Sequence, residues 1–575
     1  MKKFLLTMLV VIPLNLFGFN DLDKTLNNYY TKNNIKVEQV KVDDYTFARR
    51  VYIDFAGRIP TLDEIKAYVT SQNPNKKELL LDKIFYSEDY VNNLYNFWAD
   101  MLRIRPERLG DTIQMKAYPY MEYVRDFIRG DKPYDSFVSE LLTATGRVTD
   151  NPATSYLIRD DGMALDNLAT STQIFVGKDI SCAQCHDDPF QDYTQHQFYE
   201  FAAFFNNTNR ENRKTYRDEL KKVDEDIKEI KKTDRIDNNV RQIMSANLFN
   251  VQDDINKQTR LPHDYKYSDG KPNDIVMPVS LDGKMKDIKD NKRQNFAKWI
   301  TSQPDFSYCI SNRLWEEIVG NNLVYPENKT NFYLTNKSPN YSIVSFLGEY
   351  LKQNNYSIKS LLRMIAMSDF YSRPAYSGNK DDYKNQSPMI VRMNSYKVWD
   401  SMITLILPDS NYSRISFDDY AKIFRIDWEK INGEYMLKKA DDIREYDKQL
   451  SKSFLNYKGI DLVRSCFLLN RNNGFAGLFL KEFGSSDRIL IDTANNKASI
   501  SQLLVLMNSP LIDTLSDSKS QIMQAYEKNN KNKDVLFVAI MGRPPTLVEK
   551  SKLSSVDTND MIWLLVNSKE FLFKK

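Results

Sequence analysis

The stretch CAQCHDDPFQDYTQHQFYEFAAFF, residues 182–205, indicates the class of fold that the chain adopts. Thr194 opens the tetrad TQHQ, a pattern in which a hydroxyl and an amide cap the first turn of a helix reciprocally. Phe198, Phe201 and Phe205 follow at steps of three and four residues, so they share one face of that helix. Because an aromatic face of this kind usually packs in a core, the stretch predicts a helix that is buried along one side.

The same helical spacing extends in both directions from this stretch. Leu94 and Trp98 show it upstream, and Phe296 and Ile300 show it downstream. No alternation of strand and helix indicates a doubly wound sheet. The chain is therefore predicted to be mainly α, with two helical domains separated by a charged helical-hairpin insertion.

Changes of composition along the chain predict its organisation. The predicted parts are a signal peptide at residues 1–20, a helical domain at 21–207, a charged helical hairpin inserted at 208–260, a connector at 261–292 and a second helical domain at 293–575.

Composition also limits the classes of function. The 575 residues include 80 Lys and Arg against 77 Asp and Glu, a formal net charge of +3. Since this balance does not favour a polyanionic partner, nucleic-acid binding is not expected. The chain has only 4 Cys and 3 His, too few cysteines for a fold held together by disulfides. Because Cys and His are both rare in this chain, a motif that contains both residue types is a strong indication of a functional site.

The N-terminus has the three parts of a secretory signal peptide. Lys2 and Lys3 precede an apolar run from Phe4 to Phe17, and the small residue Gly18 follows. The run is too short to span a bilayer comfortably, and an uncleaved anchor is the alternative. We expect an exported protein with no retained membrane span, located in the periplasm or at the cell surface.

Residues 208–260 differ from their surroundings because charged side chains and Asn dominate them. Val223 and Ile227, then Val240 and Ile243, form a narrow apolar stripe at helical steps. The pattern predicts an antiparallel helical hairpin whose charged face is solvated. Because the stripe is narrow, we expect the hairpin to bury little area against the two domains and to be removable.

Cys182, Cys185 and His186 form the motif Cys-x-x-Cys-His, the attachment signature of a c-type haem. On a helix, positions i, i+3 and i+4 lie on one face, so two thiols can react with the two vinyl groups on one edge of a porphyrin. The imidazole beside the second thiol is then placed to bind the iron as its proximal ligand. Export agrees with this interpretation, because bacteria attach haem covalently outside the cytoplasm. One covalent haem c per chain is the predicted cofactor.

Two other interpretations of the cysteines stay open. Cys182 and Cys185 could form a disulfide or a thioredoxin-like redox pair, which would leave His186 without a role. A zinc site would need further ligands, and few Cys and His remain in the chain to supply them.

The motif does not determine the sixth ligand of the iron. His196 follows His186 at the start of the aromatic helix and is the candidate for this position, although such a histidine is more often an ordinary surface residue. Any of the 19 methionines, or an open site, are the alternatives.

A short motif occurs twice, as GRIPTLDE at residues 57–64 and as GRPPTLVE at residues 542–549. Gly suits the left-handed position that ends a helix, and Pro prevents the helix from continuing. Thr61 and Thr546, each with Glu three residues later, then predict capping boxes for the next helices. We interpret the motif as architectural.

These motifs resemble those of a two-domain family of exported proteins known from planctomycetes, verrucomicrobia and their relatives. The first domain of that family is called the planctomycete cytochrome C domain, and its partner domain has no known function. The likeness in the first domain rests on RRVYID at 49–54, GRIPT at 57–61, FWADMLR at 97–103, DKPYD at 131–135 and CAQCHDDPF at 182–190. In the second domain it rests on AKWITS at 297–302, NRLW at 312–315, LMN at 506–508 and GRPPT at 542–546.

The resemblance implies that residues 21–207 are a cytochrome C-like domain with a haem. Only Cys182, Cys185 and His186 match a family motif with known chemistry, and no enzymatic activity is implied. The leading hypothesis is an exported c-type monohaem protein that exchanges electrons with an unknown redox partner. The alternative is a non-catalytic surface or glycan-binding protein whose partner is a surface polysaccharide and in which the two cysteines form a structural disulfide. No nucleophile elbow, zinc-protease helix or phosphate loop favours a hydrolase.

Overall fold

The computed structural model of the chain describes most of its residues. The described residues are 21–109, 115–160, 163–205, 208–210, 217–232, 237–248, 250–254, 256–324, 337–407, 417–453, 456–457, 459–468, 474–491, 493–495 and 497–575. The predicted signal peptide at residues 1–20 lies outside them. Helices dominate the described residues and the strands are short, so the predicted mainly α class is confirmed.

The first predicted domain is built from ten α-helices within its described residues. They are α1 (Asp21–Lys32), α2 (Asp44–Val51), α3 (Leu62–Thr70), α4 (Lys76–Phe85), α5 (Glu88–Met101), α6 (Tyr118–Gly130), α7 (Tyr134–Thr143), α8 (Ser155–Ile158), α9 (Ala164–Val176) and α10 (Gln195–Ala202). A π-helical turn, Tyr52–Ala56, continues α2, and 3₁₀ turns occur at Pro152–Thr154 and Ser181–Gln184.

The predicted hairpin and the second domain supply the other helices. The hairpin contains α11 (Arg217–Lys231) and α12 (Asn238–Leu248). The second domain contains α13 (Lys292–Ser302), α14 (Pro304–Val319), α15 (Tyr341–Gln353), α16 (Ile358–Met367), α17 (Ser395–Ile406), α18 (Phe417–Phe424), α19 (Gly433–Ser453), α20 (Gly474–Glu482), α21 (Ile500–Met507), α22 (Pro510–Leu515), α23 (Gln521–Lys528), α24 (Lys533–Met541), α25 (Leu547–Leu553), α26 (Thr558–Val566) and α27 (Lys569–Leu572). Its 3₁₀ turns are Lys380–Asp382 and Ser465–Phe467.

Short antiparallel strands pair either locally or between distant parts of the chain. They are β1 (Gly146–Arg147), β2 (Thr208–Arg210), β3 (Asn250–Asp253), β4 (Thr259–Arg260), β5 (Ile275–Val276), β6 (Val391–Arg392), β7 (Asn456–Tyr457), β8 (Ile460–Asp461) and β9 (Phe573–Lys574). β3 lies between β1 and β2, β4 pairs with β5, β6 with β9, and β7 with β8. The β4–β5 pair lies at the start of the connector, and β4 contacts α10.

Both copies of the repeated motif end one helical segment and cap the next, as predicted. Gly57 has φ 68° and Gly542 has φ 72°, values in the left-handed region that glycine adopts without a steric penalty. Thr61 and Thr546 each form a complete capping box with the glutamate three residues later. The arginine after each glycine also binds the glutamate of its own capping box, so the structure gives the motif an architectural role.

The two helical domains share one hydrophobic core, which runs from Leu22 in α1 to Phe571 in α27. The aromatic face of α10 belongs to it. The ring of Phe201 lies 5.0 Å from that of Trp299 and 5.2 Å from that of Phe296, both in α13. The aromatic helix predicted from residues 194–205 therefore joins the two domains and places the preceding cysteine motif at the surface beside that junction.

The hairpin helices form as predicted, but the expectation that they bury little area is wrong. Val223, Ile227, Val240 and Ile243 are at most 1% exposed, and their helices α11 and α12 pack against α19 of the second domain. A polar contact also joins hairpin and domain, since Asp226 Oδ2 accepts a 3.2 Å hydrogen bond from the backbone N–H of Gly433. The apolar stripe is narrow, but its residues are buried because α11 and α12 both pack against α19.

None of the helices in the described parts of the chain is both long enough and apolar enough to cross a membrane.

Candidate functional site

The Cys-x-x-Cys-His motif lies on a single tight turn that follows α9. Gly177, with φ 69°, ends α9, and the 3₁₀ turn Ser181–Gln184 begins four residues later. The carbonyl of Cys182 accepts hydrogen bonds from the backbone N–H groups of Cys185, at 3.2 Å, and His186, at 3.3 Å. This turn has the helical i, i+3 and i+4 relation on which the prediction depends, and all three side chains are exposed.

The imidazole of His186 is oriented by the backbone. Its Nδ1 lies 2.8 Å from the carbonyl oxygen of Asp187. A carbonyl oxygen only accepts hydrogen bonds, so Nδ1 is the donor, and in the neutral ring Nε2 has the free lone pair. An exposed imidazole in this tautomer can bind a metal ion through Nε2.

Asp187 is held by hydrogen bonds to the connector and to the start of α10. Its backbone N–H donates to the hydroxyl oxygen of Tyr267 in the connector, at 2.9 Å. Its Oδ1 accepts from the backbone N–H of Gln195, the first residue of α10, at 2.8 Å. The side chain of Gln195, which is 5% exposed, also donates to the carbonyl of Gln184 at 3.2 Å. The turn that holds the motif is therefore fixed by α10 and by the connector.

The segment after His186 folds back on itself. The backbone N–H of Asp188 donates to the carbonyl of Tyr193 at 2.9 Å, and Oδ1 of Asp188 accepts from the N–H of Phe190 at 2.8 Å. Gln191 closes the loop through a 2.9 Å hydrogen bond from its side chain to the carbonyl of Asp179. The ring of Phe190 is 79% exposed, so an apolar side chain stands on the surface a few residues from the two thiols.

The electrostatics of the turn disfavour thiolate chemistry. Partial desolvation, followed by the carboxylates of Asp188 and Asp179, raises the pKa of the Cys182 thiol. A nucleophilic or redox-active cysteine has a lowered pKa, supplied by a nearby positive charge or a helix N-terminus. The direction of this pKa shift at Cys182 does not favour the thioredoxin-like interpretation.

The four cysteines all lie in described parts of the chain, and all are free thiols. The structural-disulfide interpretation requires a bond between Cys182 and Cys185, and the structure has none. Among the described residues, no group of three or more His, Cys, Asp and Glu side chains could hold a metal ion, so the zinc interpretation has no geometric support there.

A small aromatic cluster borders the turn. Leu261, Tyr265 and Val276 of the connector form a second hydrophobic core, against which Tyr199 of α10 and Tyr267 pack. Burial raises the pKa of Tyr199, and the charges of the neighbouring Cys185 and Asp264 raise it further. The Tyr199 hydroxyl therefore lies close enough to the motif to interact electrostatically with Cys185. The connector forms one wall of the candidate site.

His196 is directed toward this cluster. Its ring lies 6.3 Å from that of Tyr265, and its Nδ1 is 3.6 Å from Oε2 of Glu200 one turn along α10. The contacts of the described residues include none between His196 and His186. The assignment of His196 as the sixth ligand stays a prediction.

Sequence reasoning identified the three residues of the motif but not the residues that hold it in place. Gln195 and Tyr267 have no motif of their own, and Tyr267 is distant from His186 in the chain. The pairing of Tyr265 and Tyr267 within a polar stretch, HDYKYSDG at residues 263–270, is a signal that would have drawn attention to the connector.

Two family models match the chain in tandem. Residues 21–210 match PSCyt2, described as "Protein of unknown function (DUF1549)", and residues 292–556 match PSD1, described as "Protein of unknown function (DUF1553)". No curated protein and no solved structure matches the chain. The two matches agree with the resemblance inferred from the motifs, that of a planctomycete cytochrome C domain followed by its partner domain. The chain therefore belongs to the family in which these two domains of unknown function, PSCyt2 and PSD1, occur in tandem.

Proposed function

We propose that the chain is an exported c-type monohaem protein with a role in electron transfer. Cys182 and Cys185 would hold one haem covalently, and His186 would be its proximal ligand. The observation that supports the proposal most strongly is the state of His186, whose Nδ1 donates to the Asp187 carbonyl and leaves Nε2 available on an exposed turn. When bound, the haem would supply a one-electron redox centre.

The two thiols fit the chemistry of attachment. Both are free and exposed, and both lie on the turn that holds the imidazole. Each thiol would add across one vinyl group: the sulfur bonds to one carbon, the proton goes to the other, and no group leaves.

The remaining parts of the proposal concern location and partner. The signal peptide predicted at residues 1–20 would direct the chain to the periplasm or the cell surface. We propose a redox protein as the partner, since the motif lies on an exposed turn, where a docked protein could approach the group that it would hold. The other expected partner, a surface polysaccharide, belongs to the alternative in which the cysteines serve only the fold.

Expression of the full chain in a host that matures c-type cytochromes tests the proposal. We expect denatured protein to retain the porphyrin, to gain the mass of one haem and to give the spectrum of a thioether-linked haem. A variant with both Cys182→Ala and Cys185→Ala is the negative control, and Cys309→Ala, which removes a buried thiol elsewhere, is the matched positive control. Protein without haem whose two motif cysteines are joined by a disulfide would instead establish the alternative.

A further inference from the structure

Asp187 connects His186 to a residue far along the chain. Three groups of Asp187 are engaged: its carbonyl accepts from Nδ1 of His186 at 2.8 Å, its N–H donates to Tyr267 at 2.9 Å, and its Oδ1 accepts from Gln195 at 2.8 Å. Asp187 is therefore held by contacts outside the Cys-x-x-Cys-His turn. Tyr267 binds the peptide group before the Asp187 Cα, and the peptide group after it, which contains the carbonyl, is held by the 2.9 Å hydrogen bond from the Asp188 N–H to the Tyr193 carbonyl. That carbonyl is the group that orients the imidazole.

The hydroxyl of Tyr267 is presented by a folded unit. Its ring meets the ring of Tyr265 edge to face, with centroids 5.5 Å apart. Tyr265 is 5% exposed, and its hydroxyl donates to Oδ1 of Asp269 at 2.5 Å. The pairing of β4 with β5 closes the base of this segment. The segment that carries Tyr267 is therefore held by its own contacts, so the hydroxyl has a fixed position beside Asp187.

We propose that Tyr267 is a positioning residue for His186 and acts through Asp187. The inference rests on the proposed function, because it concerns His186 as a ligand of haem iron. A hydrogen bond from Nδ1 to a well-oriented carbonyl fixes the tautomer and increases the basicity of Nε2. Tyr267 therefore influences how strongly the imidazole donates to the iron.

Replacement of the hydroxyl tests the proposal in the holoprotein. Tyr267→Phe removes the acceptor for the Asp187 N–H and keeps the ring. Tyr265→Phe is the matched control, since it removes a hydroxyl from the same cluster that binds Asp269 rather than the turn. We expect both variants to retain the covalent haem and the helical circular dichroism spectrum. Only Tyr267→Phe should raise the reduction potential and shift the ligand-field bands, because a less basic imidazole stabilises the oxidised iron less.

A second measurement does not depend on haem. In protein expressed without maturation, the imidazole nitrogen chemical shifts of His186 report which nitrogen is protonated. We expect protonation at Nδ1 in the unmodified chain and in Tyr265→Phe, and a larger share of the Nε2-protonated tautomer in Tyr267→Phe.

The outcomes separate the two ideas. If His186 shows the expected tautomer shift but no haem ever attaches, the proposed function fails while the coupling of Tyr267 to His186 stands. If haem attaches and Tyr267→Phe matches Tyr265→Phe in potential, spectrum and tautomer, the positioning role is overturned. Equal shifts in both variants would also overturn it, since packing of the connector rather than the Tyr267 hydroxyl would be responsible.

Discussion

At the residue scale, His186 is distinguished from an ordinary surface histidine by the carbonyl that holds its ring. His263 in the connector is exposed in the same way and lies on the turn that the hydrogen bond from the Tyr265 N–H to the Pro262 carbonyl closes. Exposure of His186 also means that the core does not depend on it, since the core is formed by apolar helix faces. Its role can therefore be tested by removal of the side chain.

We expect His186→Ala to retain covalent haem and the helical fold but to lose proximal ligation of the iron. The cysteines remain to hold the porphyrin, while the only imidazole on the turn is gone. Absorption spectra of the oxidised and reduced protein measure the change, and His263→Ala is the control. Unchanged Soret and ligand-field bands in His186→Ala would mean that another residue is the ligand.

Glu64 provides a pH-dependent test at the same scale. Burial alone would raise the pKa of Glu64, but the hydrogen bonds and charge of Arg58 outweigh it and lower this pKa to about 2, from an ordinary 4.5. Because the pKa is lower in the folded state, the linked stability is complete above the unfolded pKa and is lost as the pH falls toward 2.

We expect Glu64→Gln to lower the free energy of unfolding at neutral pH by on the order of 2 kcal/mol. Its stability should also fall less steeply than that of the unmodified chain below about pH 4.5, the ordinary pKa of a glutamate. Denaturant unfolding at several pH values measures both effects. Asp63→Asn, at the exposed neighbouring position, should change little. A parallel pH profile for Glu64→Gln and the unmodified chain would contradict the argument.

At the scale of elements, the sequence predicted an interaction correctly wherever both of its partners lie within one turn of the chain. The capping boxes at Thr61, Thr194 and Thr546 are of this kind, and all three form. The turn of the cysteine motif is equally local. The burial of the hairpin could not be predicted, because its partner α19 lies about 200 residues further along the chain and periodicity does not identify a partner.

The hairpin supplies the test at this scale. Ile243 of α12 is fully buried, and α12 packs against α19. We expect Ile243→Ala to cost about 2–5 kcal/mol in unfolding free energy, the range for loss of a large aliphatic side chain from a core. Lys222→Ala, on the exposed face of α11, is the control. A loss no larger than that of Lys222→Ala would restore the view that the hairpin is removable.

At the scale of the whole molecule, the end of the described chain returns to its first domain. Arg49 of α2 donates to the carbonyls of Ile540, at 3.0 Å, and Phe571, at 3.2 Å. The sequence predicted two domains from composition and motifs. It did not predict that they share one core, because such contacts join residues hundreds of positions apart and follow no local pattern.

One buried ion pair connects the two ends most directly. Asp54, 1% exposed, accepts from Lys574 Nζ at 2.5 Å and from the Tyr371 hydroxyl at 2.8 Å, and Lys574 is 4% exposed. Lys574 also donates to the carbonyl of Ile318 at 2.6 Å, which places its ammonium group between acceptors from two distant segments. Loss of one partner leaves the other charge buried, and this costs more than the pair contributes when intact.

We therefore expect Lys574→Met to lower the free energy of unfolding by about 3–5 kcal/mol, because it leaves the Asp54 carboxylate buried without its cation. The double variant Asp54→Asn with Lys574→Met should recover part of that loss, since neither charge then remains. Lys575→Met removes a half-exposed lysine that pairs with Glu570, and it should cost less than about 1 kcal/mol. Denaturant unfolding followed by circular dichroism measures all three variants. Because the domains share a core, each unfolding curve should show a single transition. Two separate transitions, or a double variant no more stable than Lys574→Met alone, would show that this pair does not couple the domains.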